Sequence, residues 1–160
     1  MYDRWTESVN VASTLEELNK SYGTYILMSQ QTANRSLVQS RILFRLIDFV
    51  YIRVTYIKVS RHGKSKRRSR RRRRRVIAVY EPLCRSENPD QVSVDIVKCH
   101  QEGFDLYKKR KFDAAARHFE QAATLCKGTL YTPVPARALA KRCHAMVTSP
   151  PPKHWRYVKP

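Results

Sequence analysis

Tyr2-Asp3-Arg4-Trp5-Thr6-Glu7-Ser8-Val9-Asn10-Val11-Ala12-Ser13-Thr14-Leu15-Glu16-Glu17-Leu18-Asn19-Lys20-Ser21-Tyr22-Gly23-Thr24 is the stretch on which the fold turns. Val9, Ala12, Leu15 and Leu18 recur at three-residue spacing, and Val11 widens the stripe, which predicts a helix over 9–20. Gly23 marks its stop, because glycine enters the left-handed conformation that ends helices without a Cβ clash. Tyr25-Ile26-Leu27-Met28-Ser29 then predicts a short buried strand, with Ser29 placed to cap a short helix. Phe44 to Tyr51 is rich in strand-forming types, and Val76-Ile77-Ala78-Val79-Tyr80-Glu81 is its expected partner. Helix, strand, short helix and hairpin in that order predict a mixed α/β (α+β) domain.

The two hairpin strands are separated by residues 52–75. A structureless stretch of that length is uncommon inside a compact domain. It reads as an insertion, or as non-coding sequence carried into the reading frame. Residues 61–75 hold eleven of the 32 Lys and Arg residues and no acid, and so account for more than half of the net charge of +19. Lys64-Ser65-Lys66-Arg67-Arg68-Ser69 and Arg70 to Arg75 are too densely charged to pack, so the run is expected to stay solvated. Such a run suits polyanion binding, to RNA, DNA or anionic lipid, through phosphates and without reading sequence. It also suits a nuclear localisation signal.

Ile42 to Val59 is the most apolar stretch, but Arg45, Asp48, Arg53 and Lys58 lie within it, which argues against a membrane span. Cys84, Cys99, Cys126 and Cys143 contain no Cys-x-x-Cys pair, so no zinc site is expected. Without a signal peptide they read as reduced thiols of an intracellular chain, cytoplasmic or held at a membrane by regions outside it. His100, His118, His144 and His154 show no ligand spacing.

Pro82 and Arg85-Ser86-Glu87-Asn88-Pro89-Asp90 mark a boundary. Beyond it the periodicity predicts helices over 94–110, with Ser93 or Asp95 near the start, then over 112–125 and 135–147. Pro150-Pro151-Pro152 ends regular structure. Gly103, Leu106, Ala115, Phe119 and Ala122 fall at the small and large packing positions of a tetratricopeptide-like helical hairpin.

Asp3, then Val9-Asn10-Val11-Ala12, Thr14-Leu15-Glu16 and Tyr22-Gly23 before a strand, resembles the C-terminal part of the catalytic domain of class III adenylate/guanylate cyclases. Phe104-x-x-Tyr107-x-x-x-Lys111-Phe112-x-x-Ala115, Ala136-Arg137, Arg142-Cys143 and Pro150-Pro151-Pro152-x-x-Trp155 resembles the tail that follows that domain in many microbial cyclases. Together the two cover most of the chain outside the Arg-rich segment. The resemblance implies part of a ferredoxin-like cyclase domain over 1–84 with a basic insert at 52–75, followed by an all-α helical hairpin over 90–149 and a Pro-rich C-terminus over 150–160. The half of the domain that holds the metal-binding aspartates would precede Met1.

Cyclases drive the ribose 3′-oxygen onto the α-phosphate of ATP or GTP, with Mg or Mn ions balancing charge, in a site shared with a second cyclase domain. The resemblance assigns Asp3 to the base, favouring ATP over GTP, and Asn10 to the ribose and transition state. Thr14 stands where an Arg is usual, one helical turn beyond Asn10, and Thr6 stands where Gly is usual. His62-Gly63-Lys64 is the nearest match to a Lys-Gly-Lys-like turn, which makes Lys64 the phosphate contact. Without the metal-binding half, and with Thr14 in place of Arg, the chain alone is expected to be inactive. A non-catalytic interaction module built on the helical tail and a basic nucleic-acid binder are the alternatives.

Overall fold

The apolar alternation on either side of the basic run folds as one antiparallel hairpin. In this computed structural model residues 4–35, 40–62, 65–155 and 158 are described, with the backbone alone for 4–7, 54–62 and 65–72. Helix α1 (Arg4–Tyr22) leads to β1 (Met28–Ser29), α2 (Gln30–Ala33), β2 (Ile42–His62) and β3 (Ser65–Arg85). Three more helices follow: α3 (Gln91–Lys108), α4 (Phe112–Leu125) and α5 (Val134–Thr148). The sheet has three strands in the order β1-β3-β2, all pairs antiparallel. The protein is therefore of mixed α+β class.

The expectation of a loop over 52–75 is corrected. Pairing runs unbroken from Ile52↔Arg75 to His62↔Ser65, so the described part of this stretch is strand on both sides. Val54, Thr55, Tyr56, Ile57 and Val59 supply strand-forming side chains on β2. The ladder bonds are made by backbone amides and carbonyls, whatever the side chains, and a two-stranded ribbon has no need to bury its arginines. The density of charge on one strand was therefore a poor guide to its backbone.

The expected strand over 25–29 shrinks to Met28 and Ser29, which pair with Tyr80 and Val79. Tyr25 and Ile26 are 93% and 60% exposed, and Leu27 is buried. Gly23 ends α1 with φ of +63°, as its place after the periodic stretch predicts. Ser29 caps α2, its side chain accepting from the Thr32 amide at 3.3 Å. At α3 the cap is Asp90, which accepts from the Ser93 amide at 2.8 Å, so the helix begins earlier than the periodicity alone suggests.

The sheet has a packed layer on each face. Leu46, Phe49, Ala78 and Tyr80 pack with Phe104, Tyr107, Phe119, Leu139 and Cys143 of the tail helices. Ile47, Val50, Ile52, Ile77 and Val79 pack with Val11, Leu15, Leu18 and Tyr22 of α1. A bulge between Leu46 and Asp48 brings both Ile47 and Asp48 to the α1 side, the local bend an extra strand residue produces. Gly103 lets α3 close on α4, since a Cβ there would lie 2.7 Å from the Phe119 ring. Trp155 meets Tyr107 and Phe112 edge-on, with ring centroids 5.0 and 5.8 Å away, which fastens the Pro-rich end to the helical core.

Candidate functional site

Asn10 and Thr14 lie one turn apart on α1, where that helix crosses β2. The Asn10 side-chain amide donates to the Arg53 carbonyl at 3.0 Å, which ties the helix to the strand. The Thr14 hydroxyl donates to the Asn10 carbonyl at 2.8 Å. This i to i−4 bond is the ordinary way a helical threonine satisfies itself, and it brings no positive charge to the position. Register places Arg74 across from Arg53 and Arg75 across from Ile52, and Arg53, Arg74 and Arg75 are all exposed. Arg75 shares the α1 face of the sheet with Ile52 and Ile77, whereas Arg53 and Arg74 take positions on the other face.

Asp3 and Lys64, the other two residues the sequence singles out, lie outside the described residues.

The most constrained side chains are ones that sequence reasoning passed over. Asp48, 1% exposed, receives both Arg142 nitrogens at 2.9 and 2.6 Å, the Tyr22 hydroxyl at 2.5 Å and the Phe49 amide at 2.8 Å. The fork-on-carboxylate pairing is the geometry that favours arginine over lysine. Burial, then the Asp48 charge, pushes the Tyr22 hydroxyl well above its ordinary range, so it stays a donor. Arg142 is held charged by Asp48 against its own burial. This cluster joins α1, the sheet and α5 at one carboxylate.

A second cluster centres on Arg45, which is fully buried. Its Nε donates to Glu81 Oε2 at 2.5 Å, Nη2 donates to the Thr132 carbonyl at 2.9 Å, and Nη1 lies 3.4 Å from Cys126 Sγ. Burial raises the Glu81 carboxyl above its usual range, with Arg45 opposing. Burial likewise raises the Cys126 thiol and pushes Cys143 up to about 12, which makes both poor nucleophiles near neutrality. His100 is also fully buried, with Nδ1 3.0 Å from the Leu46 carbonyl and Nε2 without a hydrogen-bond partner. Since the carbonyl accepts, Nδ1 carries the proton. Burial and then the Arg45 charge lower its pKa to about 3.

The signal for these clusters was present in the sequence. Arg45 and Asp48 interrupt the most apolar stretch of the chain, and a charge inside a buried strand needs a partner. Which partner it finds, 36 residues away at Glu81 and 94 away at Arg142, is not encoded in any local pattern. Both clusters are closed ion pairs. Their carboxylates are occupied by guanidinium groups, so they fix structure and do not move protons.

Among the described residues no three His, Cys, Asp or Glu side chains gather as a metal site. The Mg or Mn that the cyclase resemblance implies therefore has no donor set there. Among the same residues no helix is long and apolar enough to cross a membrane. All four cysteines are free thiols. Fold and site together define the class, a mixed α+β protein whose small antiparallel sheet is clasped by buried arginine–carboxylate pairs to a helical tail. No protein-family model, curated protein or solved structure matches the chain.

Proposed function

We propose that this chain derives from the C-terminal part of a class III nucleotidyl cyclase, a partial ferredoxin-like domain with its helical tail, and that it binds ATP without turning it over. The reading rests on the residues that resemble the family. The observation that carries it is the seating of Asn10 and Thr14 on a helix fixed across an antiparallel hairpin, with a helical tail after the hairpin. Asn10 offers both a donor and an acceptor to a ribose. Exposed Arg73 and Arg75, at positions on the sheet face that α1 covers, offer positive charge to the phosphates beside it.

Turnover needs what the described residues lack. Cyclisation requires carboxylates to hold the two metal ions, and Asp48 and Glu81 are committed to Arg142 and Arg45. The donor that would stabilise charge on the α-phosphate is replaced by Thr14, and loss of such a donor typically lowers a rate by about a hundred-fold or more. A complete site would take its metal-binding carboxylates from a second cyclase domain.

Two measurements on the purified chain test this. Calorimetric titration should show ATP binding more tightly than GTP, with Asn10→Ala weakening ATP about tenfold, the worth of one or two good hydrogen bonds. Incubation with ATP and Mg or Mn should yield no cyclic AMP. Absence of nucleotide binding, or ATP binding indifferent to Asn10→Ala, sinks the cyclase-derived reading. Metal-dependent cyclic AMP formation by the chain alone sinks the claim that it is silent.

A further inference from the structure

The arginine run is not a tail. It is the outer part of β3, and its register with β2 sorts its charges by position. Lys66, Arg68, Arg70, Arg72 and Arg74 stand across from Arg61, Val59, Ile57, Thr55 and Arg53. Alternate positions of a strand share a face, so these positions form one unbroken basic row, with Arg53 and Arg61 added from β2. The opposite row is different. It runs Arg67, Ser69, Arg71, Arg73 and Arg75, interrupted on β3 by a serine across from Lys58 of β2, and it continues from the face on which Ile52, Ile77 and Val79 meet α1. Arg73 and Arg75 already interact within the chain.

We infer that the distal hairpin, β2 over 52–62 with β3 over 65–75, is a nucleic-acid-binding arm. The Lys66–Arg74 row lies along the phosphates of duplex DNA without reading its sequence. Three observations favour this partner. First, five cations at about 6.6 Å intervals extend over about 26 Å, a span in which a duplex strand presents a phosphate every ~3.4 Å of its axis. Second, a two-stranded ribbon is one of the shapes that the major groove of B-form DNA admits, whereas the major groove of A-form RNA is too deep and narrow to admit side chains. Third, an element lying on a lipid surface needs one apolar face, and β3 places cations on both faces of the ribbon, beside the apolar positions of β2. An anionic bilayer is thus the poorer fit.

Placement on a strand makes a prediction that an unstructured polycation does not. Two variants of the full chain remove the same charge from different rows. One is Arg68→Thr, Arg70→Thr, Arg72→Thr and Arg74→Thr. The other is Arg67→Thr, Arg71→Thr, Arg73→Thr and Arg75→Thr. Threonine keeps the strand propensity of both, and circular dichroism of the helical tail checks that both fold. Affinity for a 20-base-pair mixed-sequence duplex is read by fluorescence anisotropy between about 50 and 200 mM salt, the range over which counterion release is resolved. Parallel titrations use single-stranded RNA and phosphatidylserine vesicles.

The native chain is expected to give a log–log salt slope of about −4 to −5, close to −0.9 per contacted phosphate for five contacts. The first variant should lose about three to four from that slope and at least a hundred-fold in affinity at the lower salt. The second should lose about one or less. A third variant with lysine at 68, 70, 72 and 74 should retain most of the slope, since the contacts are to charge. Equal losses in the first two variants would overturn the inference, because a disordered run counts charges and not faces. Tighter binding to RNA or to vesicles than to the duplex would overturn it as well.

Discussion

Two populations of arginine divide this molecule. Arg45 and Arg142 sit inside it, each paired with a carboxylate and shared among elements distant in sequence. Arg53, Arg73, Arg74 and Arg75 stand exposed on the hairpin. The side chain is the same in both places, but its surroundings reverse its effect. Inside, an arginine bound to one carboxylate commits α1, the sheet and α5 to a single arrangement, because leaving either charge alone is costly. Outside, water screens the arginine, and its removal leaves the fold almost unchanged. The comparison teaches that the structural unit does not end at the turn after β3. The tail helices and the sheet share one apolar cluster and one ionic clasp.

Breaking the clasp should give the largest effect. Asp48→Ala strands Arg142 and removes the acceptor of Tyr22, so stability is expected to fall by about 3–5 kcal/mol. Denaturant melts of the variant check this. A double change of Asp48 and Arg142 to leucine should recover much of the loss, since it removes both charges. Failure of the double variant to recover would mean that the Tyr22 and Phe49 contacts, and not the ion pair, dominate.

The next largest effect is a pH dependence inside the same core. His100 has a folded pKa of about 3 against about 6.5 for an unfolded histidine. Between these values the unfolded state binds the extra proton, so stability is complete above about 6.5 and is lost as pH falls toward 3, by up to about 1.4 kcal/mol per pH unit. His100→Asn keeps a donor for the Leu46 carbonyl and cannot titrate. Its stability should lack that component of the acid slope, which a series of melts from pH 7 to 4 will show.

Gly103→Ala comes third. A Cβ 2.7 Å from the Phe119 ring must push that ring aside, and overpacking of this kind costs about 1–3 kcal/mol. The better helix propensity of alanine offsets at most about 1 kcal/mol. A net loss of about 1–2 kcal/mol in a thermal melt is expected, and a gain would show that α3 and α4 can separate freely. The smallest effect belongs to the hairpin. Arg74→Thr should change stability by no more than about 0.5 kcal/mol in either direction, because it removes an exposed charge that faces Arg53 across the ribbon. A loss near that of Asp48→Ala would erase the contrast between the two populations.

Much of the element order was legible. The period of Val9, Ala12, Leu15 and Leu18 located the body of α1 but not its start, which lies five residues earlier at Arg4; Gly23 gave its end and Ser29 the cap of α2. The tail periodicity found α4 to the residue and α3 and α5 to within about three residues. The hairpin strands were found at their inner ends, where apolar residues alternate. Their outer halves were missed because charge density was weighed above the strand-forming side chains of β2. The strand over 25–29 was overextended because a run of apolar residues does not reveal how many have a strand to pair with.

The sequence by itself determined which segments are helical, to within a few residues at their ends, and which faces are apolar, because those features depend on residues within a few positions of one another. It also determined the concentration of charge over residues 61–75 and the cyclase-like spacing around Asn10. Only the tertiary structure decided that the arginine run is a strand with two unequal faces, since register is a relation between two segments. Only the tertiary structure matched Asp48 with Arg142 and Arg45 with Glu81. A buried charge announces that it needs a counter-charge, but distance in space, and not distance along the chain, selects which one it receives.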